Sequence, residues 1–220
     1  MAQIAEDLLL LLLDNASAQP ALERQRRERV LAAAVLLDLA YACRIRPAVA
    51  EEGVEPGRLI ALSAPGVPDR VVEPAFRLLQ RRPLRPVTAV KKLSKSTEDV
   101  LTLHLEQTGQ IRRIRLQANR FTHPYAWPLT NRERAGQARS ALLAALFDRR
   151  PPTPSTAAIV TLLHAADGLG ALLSLNDRGW RWVHARAGEI ASGSWVDEYP
   201  TGLSEVNLAV TASAIRTTLT

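Results

Sequence analysis

Cysteine is almost absent, with Cys43 standing alone. That excludes an internal disulfide framework and any zinc site of the paired Cys-x-x-Cys kind, and it fits a reducing compartment. Aromatic residues make up only 5% of the chain and there is one Met. Leu, Ala, Val and Ile must then fill the core, which favours helices over a sandwich built on aromatic pairs. Long apolar runs are missing as well. The candidate, Leu8 to Leu13, is six leucines, whereas a hydrocarbon layer of about 30 Å needs about 20 apolar residues. Glu6 and Asp7 precede the run and Asp14 follows it, unlike a secretory signal with its basic start. A cytoplasmic location is the expectation. No internal repeat or long low-complexity linker divides the 220 residues, so one domain over 1–220 is expected.

Catalytic signatures are equally scarce. There is no Gly-x-Ser-x-Gly, no phosphate-binding glycine loop and no standout pair of carboxylates. His104, His123, His164 and His184 are scattered without metal-ligand spacing. His164 and Asp167 are three apart and would share a helix face as an acid–base pair, but a core-helix role explains them as well. No catalytic residue, metal or cofactor is expected.

What the chain does have is unevenly placed positive charge. Its net charge is +6, and residues 70–120 alone carry twelve basic against four acidic side chains. Such asymmetry implies an anionic partner, either nucleic acid or a phosphate-bearing lipid surface. Only three basic residues are lysines, Lys91, Lys92 and Lys95, all within five positions.

The apolar spacing predicts mainly helix. Ile4 to Leu13 reads as a short buried helix with acidic residues in its first turn, which suits the macrodipole. Pro20, at a first-turn position, opens a longer helix through about Cys43, charged in its first half and apolar from Val30 onward. Arg44–Val49 and Arg58–Leu62 form a hairpin over about 44–62. Helices follow at Val71–Arg82 and Val87–Gln107. Gln110 to Phe121 reads as a basic hairpin over about 110–122, turning at Ala118-Asn119. After a loop over Pro124–Thr130, Asn131 caps a helix to Phe147, and further helices cover Thr153–Ala166, Trp180–Ala191 and Leu203–Leu219.

Four stretches then share a pattern: Ile4-Ala5-Glu6-Asp7-Leu8-Leu9-Leu10-Leu11-Leu12-Leu13-Asp14; Leu37-Asp38-Leu39-Ala40 with Arg44-Ile45; Trp127-Pro128-Leu129-Thr130-Asn131; and Ala157 to Asp167 with its Thr161-Leu162-Leu163-His164 centre. In order and spacing they resemble the Golgi phosphoprotein three family, which includes a yeast vacuolar-sorting protein and many bacterial relatives. The chain looks like a diverged bacterial-type member. The resemblance implies a mostly helical single domain with β-hairpin appendages, binding to phosphatidylinositol 4-phosphate headgroups, an adaptor role and no catalysis.

The family's headgroup pocket uses a tryptophan before the long helix, an arginine within it and two arginines in a later helix. Those positions fall on about Glu23, Ala32, Lys95 and Glu98, so only Lys95 keeps its charge. A displaced site built from Arg27, Arg29, Lys92 and Lys95 is the expectation, since Arg29 lies one turn from Ala32 and Lys92 one turn from Lys95. The plain alternative for Arg24, Arg26, Arg27 and Arg29 is a solvated helix end neutralised by Glu23 and Glu28. In the family the second hairpin serves self-association and membrane contact; here Arg112, Arg113, Ile114, Arg115, Leu116 and Phe121 hold that place with basic and apolar residues interleaved. A charged edge that blocks strand-to-strand aggregation is the alternative.

Together these features point to a peripheral protein on the inner face of a membrane, with anionic lipids, a second copy of the chain and a protein client as partners. Nucleic-acid binding through residues 70–120 is the alternative, disfavoured by the lack of aromatics among the hairpin arginines. A small-molecule binder or enzyme on the same helical fold is the other.

Overall fold

The computed structural model describes residues 3–116, 125–198 and 202–219. It is mainly helical: α1 (Gln3–Leu13), α2 (Arg24–Tyr41), α3 (Glu73–Arg81), α4 (Pro86–Gln107), α5 (Glu133–Phe147), α6 (Pro154–Ala165), α7 (Asp177–Ala191), α8 (Trp195–Glu198) and α9 (Leu203–Arg216). Two small antiparallel hairpins interrupt them, β1 (Ile45–Pro47) with β2 (Leu59–Ala61) and β3 (Ile114–Arg115) with β4 (Tyr125–Ala126). A helical core with hairpin appendages is thus the architecture that the composition and the resemblance implied. Among the described residues, no helix is long and apolar enough to cross a membrane.

The apolar helix α1 is buried along its whole length after Gln3. A helix apolar on every side belongs inside, surrounded by other helices. It lies against α2, α4, α5 and α6, while α2 is buried from Val30 to Ala40 and packs on α4, α6 and α9. Truncating one leucine of such a helix to Ala typically costs about 3 kcal/mol.

Burying α1 exposes a difficulty at its start, where the first N–H groups have no partner within the helix. Asp38, near the far end of α2, supplies it. Its two carboxylate oxygens accept from the backbone N–H of Ile4 (2.9 Å) and Ala5 (3.0 Å). The two central helices are therefore antiparallel and joined by a buried polar contact, which gives Leu37-Asp38-Leu39-Ala40 its physical meaning.

Several local expectations need correction. Pro20 does not open α2, which begins at Arg24. Its N-cap is Glu23, whose carboxylate accepts from Gln25 and Arg26 N–H, and this stronger cap decides the start. Asn131 does accept from Glu133 N–H at 2.8 Å, but the helix starts one residue later than an Asn131 cap implies, with Arg132 at the N-cap. The second hairpin is not closed within 110–122. Ile114 pairs with Ala126, Arg115 with Tyr125, and Ile111 bridges Leu129, so the returning strand comes from the segment read as a loop. The Ala118-Asn119 turn and Phe121 lie outside the described residues.

Asp38 also makes the fold sensitive to pH. Burial pushes its carboxyl from an ordinary 3.8 up to about 8, against the lowering effect of the two N–H donors. The folded chain then holds a proton that the unfolded chain releases near pH 4. This contribution to stability is complete below that pH and is lost as pH rises toward 8. Urea unfolding at a series of pH values should show it, with Asp38→Asn flattening the slope between pH 5 and 8. Asp38→Ala, which removes both acceptors, should cost about 2 kcal/mol near pH 5 and progressively less as pH rises toward 8.

Candidate anionic-surface site

Charged groups in and beside the core are paired first, and what is left over defines the site. Near the start of α1, Glu6 and Asp7 are both buried. Arg134, in the first turn of α5, binds Asp7 through Nε and Glu6 through a terminal nitrogen, each at 2.6 Å. His104 of α4 lies 3.3 Å from Glu6. Burial raises the Asp7 carboxyl above its ordinary value and Arg134 opposes the shift. At the other end of α1, Arg139 of α5 holds Asp14 at 3.1 Å. The acidic start and end of α1 are thus held by two arginines of α5. Trp127 anchors the same region by donating its backbone N–H to Ala18 at 2.6 Å.

The positions that the resemblance assigned to a headgroup pocket are taken up by other contacts. Ala32 is fully buried and Glu23 is spent on capping α2. Arg27 is buried, binds Glu98 at 2.9 Å, and donates to the Leu22 carbonyl at 2.9 Å. The side chains of Arg27 and Glu98 are only 9% and 19% exposed. A helix N-terminus and a neighbouring guanidinium would attract a phosphate, but here both are already occupied by carboxylates of the chain itself. Arg29 is drawn elsewhere and donates to the carbonyl of Thr218.

The lysines behave differently. Lys91, Lys92 and Lys95 are exposed on α4 and pair with no described acidic residue. Val87, also exposed, sits one turn before Lys91 on the same face. Arg81 and Arg82, at the corner between α3 and α4, are exposed and unpaired among the described residues. The structure thus separates the four expected headgroup residues: Arg27 and Arg29 are tied into the fold, while Lys92 and Lys95 remain open. Arg81 and Arg82 were not singled out in the sequence, although the excess of charge in that segment pointed to them.

In the second hairpin Arg112, Arg113 and Arg115 are exposed and Ile114 and Leu116 half-buried. Arg113 lies over the Tyr125 ring at 5.4 Å and reaches Glu106 at 3.9 Å. Basic and apolar residues interleave there as the pattern implied.

Among the described residues, the side chains of His164 and Asp167 form no ion pair, although the Asp167 N–H donates to the His164 carbonyl at 3.2 Å. Asp167 follows α6 with a positive φ of 48° and faces Arg26 at 3.8 Å. His164 meets His184 instead, their ring centroids 5.6 Å apart, and burial lowers its basicity. Trp180 packs on His184, and the exposed Trp182 stacks on Phe147. Among the described residues, no group of three or more His, Cys, Asp or Glu is placed to hold a metal ion.

The family model described as Golgi phosphoprotein 3 (GPP34) matches residues 4–200, and the chain belongs to that family, whose members are in general non-catalytic adaptors. No curated protein matches the chain.

The Arg27–Glu98 pair can be tested as a fixed structural element. Glu98→Gln leaves a buried guanidinium without its counter-charge and should lower stability by about 3 kcal/mol in guanidinium unfolding. Replacing both, Arg27→Met with Glu98→Leu, should recover most of that loss. A single variant as stable as the parent would mean that Arg27 is open to solvent and free for a ligand.

Proposed function

We propose that this chain is a non-catalytic peripheral adaptor. It docks reversibly on the anionic, cytoplasmic face of a membrane through the open cations of α4 rather than through a closed headgroup pocket. The observation that carries this reading is the row Lys91, Lys92 and Lys95, exposed and unpaired in a chain that pairs most of its other α2 and α5 cations. Each basic side chain held near an acidic leaflet contributes about 1 kcal/mol. Three lysines together with Arg81 and Arg82 suffice for reversible attachment, and Val87 adds an apolar contact at the interface. Because Glu98 and Glu23 fill the place where a phosphoinositide headgroup would sit, the reading favours general attraction to acidic lipid over recognition of phosphatidylinositol 4-phosphate. The second hairpin contributes Arg112 and Arg115, and self-association through it belongs to the same proposal.

Co-sedimentation with vesicles tests it. Binding should be equal for phosphatidylserine, cardiolipin and phosphatidylinositol 4-phosphate vesicles at matched surface charge, negligible for neutral phosphatidylcholine, and weaker as salt shortens the screening length below about 8 Å. Reversing Lys91, Lys92 and Lys95 to Glu should abolish most of the binding while leaving the helical circular dichroism intact. Equal binding to neutral and acidic vesicles would overturn the reading. A marked preference for the phosphoinositide would restore a specific pocket.

A further inference from the structure

Strand β2 is covered on one side only. The backbone bonds from Ala48 N–H to Arg58 (2.7 Å) and from Leu62 N–H to Arg44 (2.7 Å) flank the pair Arg46 and Ile60. Alternation along an antiparallel ladder turns the main-chain groups of Leu59 and Ala61 away from β1. Leu59 spends its pair on Leu84, donating at 2.7 Å and accepting at 3.2 Å. There the pairing stops, because the next residue in that register is Arg82, the C-cap of α3, followed by Pro83. The N–H and C=O of Ala61 are left without a partner among the described residues, as are those of Ser63.

Beside this open edge runs a groove of about 700 Å³, with β2 as one wall and α3 as the other. Phe76 and Leu79 lie at its base, Arg77 and Gln80 on the helix side. The Arg44 guanidinium sits 5.7 Å from the Phe76 ring centroid and donates to the carbonyls of Pro65 and Gly66, which fixes the loop at the groove's end. Arg44 and Arg77 line the groove, Arg77 holding the lining Glu73 at 2.6 Å, and Arg70, Arg81 and Arg82 flank it along the chain, exposed and unpaired among the described residues, whereas Arg85 is held by Glu55.

We propose that this groove docks an extended peptide with acidic side chains, which adds to the free edge of β2 as a further strand. Its main chain would pair with Ala61. Alternate side chains would point to Phe76 and Leu79, and the acidic ones between them to the flanking Arg70, Arg81 and Arg82. Complementarity to the positive rim selects the sign of the peptide's charge, and the unpaired edge selects its conformation. This site does not include the lysine row and does not rest on the lipid reading, although Arg81 and Arg82 belong to both surfaces.

Fluorescence anisotropy with labelled decapeptides, one of alternating Val and Glu and one of alternating Val and Lys, tests the proposal on the full chain. The acidic peptide should bind and the basic one should not. Methylating the backbone nitrogens of the acidic peptide should weaken binding about fivefold or more, the size of one lost neutral hydrogen bond. Ala61→Pro should do the same, since it removes the outward N–H while sparing the bonds to β1. In the unaltered protein, hydrogen exchange at Ala61 should slow when the acidic peptide is added, a readout that needs no variant. No binding of the acidic peptide, equal affinity for its methylated form, or unchanged exchange at Ala61 would each overturn the proposal. Slowing of that exchange by phosphatidylserine vesicles but not by the peptide would assign the groove to lipid instead, while leaving the lysine-row test to be judged on its own result.

Discussion

A fully buried α1 is the constraint on which the rest of the structure depends. A helix sunk in the core carries its unsatisfied N–H groups and the charges near its start with it, and unpaired polar groups in that setting are expensive. Asp38 answers the N–H groups of Ile4 and Ala5, and Arg134 answers Glu6 and Asp7. These contacts fix α2 antiparallel to α1 and place the first turn of α5 at α1's acidic start. Packing of the leucines supplies the bulk of the stabilisation, but it is non-directional. The buried polar contacts make one arrangement preferable to the others the leucines would tolerate.

The same economy of charge shapes the surface. Arg27 and Arg29 fall where an anion site was expected, yet Glu98 and the Thr218 carbonyl already hold them. A carboxylate in place of a phosphate gives a rigid, self-satisfied junction between α2 and α4. Lys91, Lys92 and Lys95, lying farther toward the start of α4, have no such partner. The open charges of this member of the Golgi phosphoprotein 3 family sit on an exposed helix face. Such a face suits attraction to a charged plane better than selection of one headgroup, because selection needs several donors converging on a small space.

Much of this was legible before folding was considered. The leucine run with acids on both sides, the proline and glycine breaks, and the excess of basic residues over 70–120 announced a helical domain with an anionic partner. The hairpin at 44–62 was plain from its flanking turn residues. The second hairpin was found but closed too early, since Arg115 pairs in register with Tyr125, which belongs to the segment 124–130 that read as a loop. Pro20 misled for a related reason: a proline marks where a helix is tolerated, whereas the Glu23 side chain, by satisfying two N–H groups, marks where it begins.

The sequence by itself determined most of the helices, the aliphatic core and the sign of the surface charge, because periodicity, turn residues and composition are local properties of the chain. Only the tertiary structure decided which charges remain free. Glu98 lies 71 positions from Arg27, and Arg134 lies 127 from Asp7; whether such groups meet depends on how helices cross. For the same reason the open edge at Ala61 is invisible in the chain, since an unpaired main-chain group is defined by the absence of a neighbour that only folding can place or withhold.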